Sequence, residues 1–222
     1  MKQGSGLLFL WNDIDPSVDV EYQRWHAMEH VPERVTVPGI LAGRRYVKTD
    51  GLGQRYFSLY ELDSTAVLAS PAYLALVDGP TPWSQRMRVF FSNITRFACH
   101  RIASAGSGLG ASLLTIRVQG SARENNQTLV ANVLGACTAI DGIVAAHWCA
   151  IDNGVPSLSW QSSSATSDPY QQVLLVEATD LSTLRAARAK LEGLARHAGG
   201  DAKTLCGAEY ALLQVVHPSD QR

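Results

Sequence analysis

The two halves of this 222-residue chain repeat one order of secondary-structure signals. The matched joints are "VPGI" (37–40) with "IDGI" (140–143), and "ELDST" (61–65) with "TDLST" (179–183). Two matched joints in the same order indicate duplication, and a period of about half the chain indicates repeated domains instead of a solenoid. We therefore predict two equivalent domains, residues 1–105 and 106–222.

Each half is predicted to fold in the order βαββαβ, because apolar residues alternate in the strand segments and recur at helical spacing between them. In the first half the predicted strands are 7–11, 41–48, 55–62 and 90–102, and the predicted helices are 16–35 and 64–77, with a hairpin turn at Asp50-Gly51. In the second half the predicted strands are 111–118, 144–151, 172–178 and 205–216. The predicted helices are 123–139 and a second one that begins at Asp180 or Ser182 and ends near His197. The halves differ most in a Ser-rich insertion (154–170), and "ASAGSGLGA" (103–111) between them has the composition of a flexible linker.

A βαββαβ unit forms a four-stranded antiparallel sheet with both helices on one face, which is the ferredoxin-like arrangement. The strands "LLFLW" (7–11) and "YFSLYEL" (56–62) have apolar or aromatic residues at odd and even positions alike, so both faces of the sheet should be covered. Packing the bare sheet faces of the two halves together meets this requirement within one chain. We therefore predict an α+β protein in which two tandem ferredoxin-like repeats form an intramolecular α/β barrel.

Charge and composition exclude several kinds of partner. The chain has 19 basic and 20 acidic side chains, so it lacks the positive surface that nucleic acids or anionic membranes attract. The apolar run "LLFLW" is too short for a signal sequence or a membrane span, and a cytoplasmic location is predicted. The four cysteines are far apart with no C-x-x-C pair, which indicates reduced, mostly buried thiols.

The first predicted helix carries the residues with the clearest chemical potential, in "WHAMEHVPERVTVPGI" (25–40). At about 100° per residue, the side chains predicted to face the sheet are Val18, Tyr22, Trp25, Met28, Glu29 and Pro32. The prediction places His26 beside this stripe, His30 slightly more exposed, and Gln23, Ala27 and Arg34 on the opposite side.

A carboxylate near aromatic side chains is costly unless it is paired or hydrogen-bonded. Glu29 is therefore either part of an acid–base group with His26 and His30, or a structural partner of Arg44 or Arg45. The letters "HAMEH" also match an inverted zinc-protease motif, which needs a glutamate ligand further along the chain. No glutamate occurs between Glu61 and Glu124, so a zinc-protease site is not predicted. A metal site made by the two histidines alone is a less favoured alternative, and the site is predicted without a metal.

Several segments of the first half resemble a known superfamily. They are "WHAMEHVPERVTVPGILAGRRY" (25–46), "YFSLYELDS" (56–64), "LASPAYLAL" (68–76) and "PTPWSQRM" (80–87). Together they resemble the dimeric α/β barrel superfamily, with the greatest similarity to its EthD-like and stress-responsive members. The resemblance covers most of residues 7–100, and the second half matches in element order only.

The resemblance implies a barrel that relatives usually build from two identical subunits and that this chain builds by fusion. It also implies a pocket with the Glu29-His30 pair at its mouth. The superfamily contains muconolactone-type isomerases, polyketide cyclases, cofactor-free quinone-forming monooxygenases, haem-handling enzymes and members with no known reaction, so the fold does not specify a reaction.

Other side chains are candidates for lining such a pocket, although each could equally be a core or surface residue. The predicted substrate-binding residues are Trp25, Tyr22, Arg45, Tyr46, Tyr60, Trp83 and Arg96. The hydroxyl of Tyr46 or Tyr60 could orient a carbonyl or a phenol. Trp83 lies in a segment predicted as a rigid loop (79–87) that closes over the cavity, and Arg96 could hold an anion or pair with Glu29.

The second half differs at these positions, since its first helix, "ARENNQTLVANVLGACTA" (122–139), has no His, Tyr or Trp. Its next strand carries His147 and Trp148, which we align with Arg45 and Tyr46. We therefore expect the site in the first half and a mainly structural second half.

Two functions remain open at this stage. The first is an enzyme without a cofactor that uses His30, His26 and Glu29 for acid–base chemistry on a small cyclic or aromatic carbonyl compound, as an isomerase, cyclase or monooxygenase. The second is a non-catalytic barrel that binds a small organic molecule or acts in stress. Neither involves nucleic acid, a metal or a membrane, and both allow a homodimer of fused barrels.

Overall fold

The computed structural model describes residues 3–48, 53–119, 127–155, 169–200 and 204–220. The strands are β1 (Gly6–Ile14), β2 (Ile40–Val47), β3 (Tyr56–Leu62), β4 (Phe91–Gly106), β5 (Ser112–Gln119), β6 (Ile143–Ile151), β7 (Gln172–Ala178) and β8 (Thr204–Val216). Their hydrogen-bonded order, β1-β3-β2-β8-β5-β7-β6-β4, closes into an antiparallel barrel. This confirms the predicted α+β barrel of two ferredoxin-like repeats.

The helical segments follow the predicted order, and two of them were not predicted, the helix Pro82–Arg88 and the 3-10 segment Pro218–Asp220. The helices are α1 (Asp19–Trp25), α2 (Val31–Val35), α3 (Pro71–Asp78), α4 (Pro82–Arg88), α5 (Gln127–Thr138) and α6 (Leu181–Ala198). A π-turn (His26–His30) joins α1 to α2, and short 3-10 segments occur at Pro16–Val18, Thr65–Ala69 and Pro218–Asp220. None of the helices in the described part of the chain is long and apolar enough to span a membrane.

The chain divides into two compact units. The N-terminal unit contains the described residues of 3–99, 152–155 and 213–220, and the C-terminal unit contains those of 100–151 and 169–212. Within the N-terminal unit β3 pairs with β1 and β2, and within the C-terminal unit β7 pairs with β5 and β6, all antiparallel. The strand pairing therefore repeats as the joints indicated, and the domain limits 1–105 and 106–222 stay a prediction.

Both central strands are buried along their whole length. All seven residues of β3 and all seven of β7 are buried, as expected for strands that are apolar at both parities. Cys99, Cys137 and Cys149 are also buried and Cys206 is half-buried, with all four thiols free. Free, mostly buried thiols are what the sequence predicts, and burial raises the pKa of the Cys137 thiol to about 11, which keeps that thiol protonated near pH 7.

Two predictions for the region between β3 and β4 are wrong. The second helix begins at Pro71 with Ser70 as its cap, and the residues after Ser64 form a separate 3-10 segment. The predicted loop 79–87 contains α4, which Thr81 caps by accepting a hydrogen bond from the Ser84 amide. Proline at the first position of each helix ends the preceding segment and starts the next.

The predicted flexible linker 103–111 is also wrong in part, because its first four residues belong to β4. A Cβ atom on Gly106, which has a φ of +79°, would lie 2.2 Å from the Val144 carbonyl oxygen. Glycine is required there by a close backbone contact and not by flexibility. The predicted turn at Asp50-Gly51 and most of the Ser-rich insertion lie outside the described residues.

Candidate functional site

A π-turn positions the side chains of the candidate site. Between α1 and α2, the Val31 amide donates to the carbonyl oxygen of His26, five residues earlier. The wider turn accommodates one more residue than an α-helical turn, and such insertions are frequent at functional sites. Residues after the π-turn therefore face directions that an ideal helix does not predict.

This turn overturns part of the predicted helical stripe. Met28, predicted to face the sheet, is 67% exposed, whereas Arg34, predicted on the opposite side, is only 6% exposed. His26, predicted on the flank, is buried. For Arg34 the physical reason is the inserted residue, which rotates everything that follows by about 100° relative to an uninterrupted α-helix.

Glu29 faces the beginning of α4. Its Oε1 accepts hydrogen bonds from Thr81 Oγ1 at 2.5 Å, from Trp25 Nε1 at 3.2 Å and from Ser84 Oγ at 3.3 Å. The arginines predicted as its partners have other contacts. Arg44 pairs with Glu61 at 3.1 Å, Arg45 donates to Gln23 at 2.6 Å and Arg96 donates to the Tyr73 hydroxyl at 3.4 Å.

A pocket opens between the helical segments and the sheet of the N-terminal unit. It contains about 650 Å³ of space free of protein atoms, including the solvent at its mouth. Its walls combine apolar side chains with one imidazole, two phenols and three guanidinium groups. The lining residues are Leu8, Leu10, Trp25, His30, Arg34, Ile40, Tyr60, Tyr73, Val77, Arg88, Phe91 and Arg96.

His30 is held in the pocket wall by stacking. Its ring centroid lies 4.6 Å from that of Trp25 and 5.0 Å from that of His26. Its Nδ1 is buried and has no hydrogen-bond partner among the residues that the structure describes. Burial, and then the nearby Arg34 cation, hold the pKa of His30 well below its usual value, so the imidazole is neutral near pH 7.

Three arginines give the pocket a positive side. Arg34 is buried, and its Nη1 has no hydrogen bond within the described part of the chain, although Glu33 Oε2 lies 3.8 Å away. Arg88 donates to the Val77 carbonyl oxygen at 2.9 Å, and Arg96 donates to Tyr73. The guanidinium of Arg34 also lies 6.0 Å from the centre of the Tyr73 ring.

Tyr60 places a hydroxyl on the sheet side of the pocket. This hydroxyl is buried and lacks a hydrogen-bond partner in the described ranges. Burial raises the pKa of Tyr60 above its usual range, so the group remains a donor at neutral pH. Gly43 permits this arrangement, since a Cβ atom there would lie 2.6 Å from Val31 Cγ1 and 3.2 Å from the Tyr60 ring.

The structure brings together four of the residues predicted from the sequence, namely Trp25, His30, Tyr60 and Arg96. The other predicted residues do not line this pocket; they are His26, Glu29, Tyr22, Arg45, Tyr46 and Trp83. His26 and Glu29 lie immediately behind its wall, next to His30 and Trp25.

The remaining predicted residues have contacts of their own. Arg45 Nη2 donates to Gln23, whose amide nitrogen donates to the Tyr56 hydroxyl at 2.7 Å. Tyr46 packs with Phe57 at 5.8 Å between ring centroids, and Trp83 donates to Glu21 at 3.0 Å on the surface.

Sequence reasoning missed Arg34, Tyr73 and Arg88. Arg34 lies four residues after His30, so helical spacing after the π-turn would have placed both on one side. No comparable local signal identifies Tyr73 or Arg88, which come from α3 and α4.

The strand register also corrects the predicted alignment of the repeats. Glu61 is opposite Ala42 in the first unit, and Glu177 is opposite Ala145 in the second. His147 therefore corresponds to Arg44, and Trp148 to Arg45, one position away from the predicted alignment. Each unit thus contains a buried pair, Arg44–Glu61 at 3.1 Å and His147–Glu177 at 3.6 Å.

No protein-family model matches the chain, and no curated protein is similar to it in sequence. Solved structures do match over nearly the whole chain. An anthrone oxidase-like protein has a TM-score of 0.64 with 10% identity, covering 98% of this chain and 94% of its own. The chain has the dimeric α/β barrel fold.

Two further structures with this dimeric α/β barrel fold match the chain. A proposed monooxygenase from Lactobacillus acidophilus has a TM-score of 0.59 at 9% identity, covering 96% of this chain and 97% of its own. A dye-decolorizing peroxidase from Bacteroides thetaiotaomicron has a TM-score of 0.57 at 8% identity, covering 100% and 95%. At these identities the similarity shows the fold and no particular reaction.

Proposed function

We propose that this dimeric α/β barrel protein is an enzyme without a cofactor that moves a proton on a small cyclic or aromatic carbonyl compound. One observation carries the proposal: a neutral imidazole, His30, lies in the wall of a largely apolar pocket and has a buried nitrogen without a partner in the described chain. A buried titratable group with a shifted pKa inside a cleft is characteristic of acid–base sites.

The other groups around His30 supply complementary functions. Trp25 and Phe91 offer aromatic surfaces for a ring, and the Tyr60 hydroxyl offers a hydrogen-bond donor to a carbonyl or enolate oxygen. His30 would accept the proton from the adjacent carbon or hydroxyl group. The guanidinium groups of Arg34, Arg88 and Arg96 would stabilise the negative charge that then develops on the substrate.

His26 and Glu29 act as positioning residues in this proposal. His26 stacks behind His30, and Glu29 holds the Trp25 indole through its Nε1. Neither lines the pocket, so each would affect the reaction through the ring that it supports.

Oxygenation by molecular oxygen is one form of this chemistry, because removal of a proton gives the electron-rich enolate that oxygen attacks. A solved structure similar to this chain is an anthrone oxidase-like protein. Hydroxylated tricyclic ketones are therefore reasonable first substrates, with unsaturated lactones as the test of isomerisation.

Binding without reaction is the second function that the pocket supports. Glu29 already accepts three hydrogen bonds, which is the arrangement of a structural carboxylate. A ligand carrier would need the same apolar walls and the same polar groups.

The test is turnover of both substrate panels by the wild-type protein and by His30→Gln, with the exposed His197→Gln as the matched control. We expect kcat to fall by about 10² to 10⁴ in His30→Gln, the usual contribution of a general base, and to be unchanged in the control. Equal turnover by wild type and His30→Gln would remove the proposal. Saturable binding without turnover would favour the carrier, and a Soret band on adding hemin would contradict the cofactor-free mechanism.

A further inference from the structure

We infer that the natural ligand of this pocket carries a carboxylate, which the Arg34 guanidinium binds while the apolar walls hold its ring. The inference rests on the proposed function only in taking the pocket as the site of a small organic ligand, and it adds the chemical class of that ligand.

The described lining of the pocket carries more positive than negative charge. Among the described residues that line the pocket there are three arginines and no Asp or Glu. His30 is neutral, so it does not add to or cancel this charge. Glu33 and Asp78 lie near the arginines and offset their charge in part. A wall with this excess of fixed positive charge favours an anion.

Arg34 is buried with an incomplete set of hydrogen bonds to the described residues. Its side chain is 7% exposed, and its Nη1 is buried without a hydrogen bond to any described residue. A guanidinium cannot lose its proton to relieve this situation, and its planar set of N–H donors matches the two oxygens of a carboxylate. The nearest carboxylate oxygen, on Glu33, is 3.8 Å from Nη1, which is beyond hydrogen-bond distance.

The other two arginines are already held by hydrogen bonds to protein acceptors. Arg88 is fixed by the Val77 carbonyl oxygen and Arg96 by the Tyr73 hydroxyl. Both contribute positive charge to the pocket, whereas the Nη1 of Arg34 still has N–H groups that bond to no described residue. The apolar part of the lining is formed by Leu8, Leu10, Ile40, Val77 and Phe91, which suit a ring and not a second charge.

The ligand class that follows is a cyclic or aromatic acid with its carboxylate at one end. An inorganic anion would leave the apolar walls unused, and a neutral ring would leave Arg34 unsatisfied.

The experiment compares two probes that differ mainly in charge, salicylate and salicylamide, by calorimetric titration of the full chain at constant ionic strength. We expect salicylate to bind at least about tenfold more tightly to the wild type, as for charge-assisted hydrogen bonds. Arg34→Gln should remove this preference. Arg24→Gln, an exposed arginine on the same helical segment, should keep it.

Equal affinity for the two probes, binding of neither at millimolar concentration, or an unchanged preference in Arg34→Gln would overturn the inference. If Arg34→Gln fails to fold by circular dichroism, Arg96→Gln replaces it and should reduce the preference about threefold or more, in proportion to the lost field. The readout is binding, so it is separate from turnover. A carboxylate preference without turnover would remove the proposed reaction and leave this inference intact.

Discussion

His26 is the residue whose burial most affects how the protein responds to pH. It is 1% exposed, stacked between Tyr22 and His30, and both ring nitrogens lack partners in the described part of the chain. Burial, then the cations Arg45 and Arg34, lower the pKa of His26 well below its usual value. In the unfolded chain the same imidazole titrates near pH 6.5, so at acid pH the unfolded state binds a proton that the folded state excludes.

The free energy of unfolding should therefore fall as the pH decreases from 7 to 5, by up to about 1.4 kcal/mol per pH unit for each such histidine. His26→Leu should be less sensitive to acid than the wild type, because one of these protonation sites is gone. Urea unfolding at several pH values measures the slope. The exposed His197→Leu serves as the control and should behave as wild type, and an unchanged slope in His26→Leu would contradict the assignment.

At the level of secondary-structure elements, the π-turn is the feature that brings His30 and Arg34 to one pocket. It lies between α1, which packs Tyr22 and Trp25 inward, and α2, which packs Val31 and Val35 inward. The extra residue of the turn projects Met28 into solvent. Removing one residue there would convert the turn into ordinary α-helix while α1 and α2 keep their buried faces.

Deletion of Met28 should consequently give a protein that folds, with a loss of roughly 1–3 kcal/mol in the free energy of unfolding. Deletion of the exposed Ala189 in the regular helix α6 is the matched comparison. It rotates Leu191 and Ala195 out of the core by about 100° and should abolish cooperative unfolding. Circular dichroism and urea titration distinguish the two, and equal damage from both deletions would show that the π-turn is not an insertion.

At the level of the whole molecule, each unit contains a buried carboxylate paired with a basic side chain at the same position of the repeat. The pairs differ in the base. Arg44 is a guanidinium with a permanent charge, whereas His147 is an imidazole, and its Nδ1 lies 2.8 Å from Ser104 Oγ. The two buried pairs thus occupy equivalent positions of the repeat, but one contains a guanidinium and the other an imidazole.

Glu61→Gln should be the more destabilising of the two equivalent substitutions, because it replaces the carboxylate beside a buried permanent cation, at a typical cost of about 3–5 kcal/mol. Glu177→Gln should cost less by at least about 1 kcal/mol, because the partner of Glu177 is an imidazole and not a permanent cation. Urea unfolding of both variants at pH 8 gives the comparison. Equal losses would mean that the base does not determine the cost.

Much of the fold could be predicted because its signals are local. The predicted strand 172–178 matches β7, and the predicted strand 41–48 is shifted by one residue from β2. The helix α4 was missed because seven residues are too few to show an apolar period, although Thr81 and Pro82 are helix-start signals. The linker was mistaken because composition does not distinguish a mobile glycine from one required by a close contact.

Less of the site could be predicted, for two physical reasons. The π-turn changes which residues after Trp25 face inward, and a sequence pattern based on a uniform helix cannot include an inserted residue. Tyr73 and Arg88 reach the pocket only because α3 and α4 pack beside it, and no spacing along the chain encodes that contact.

The sequence by itself determined the duplicated α+β order and the buried strands, since hydrophobic periodicity and the Pro-Gly and Asp-Gly joints act over a few residues. The tertiary structure decided which side chains share the pocket and which buried polar atoms have no hydrogen-bond partner among the described residues. These properties depend on segments that are distant in the chain and on one extra residue in one helical turn.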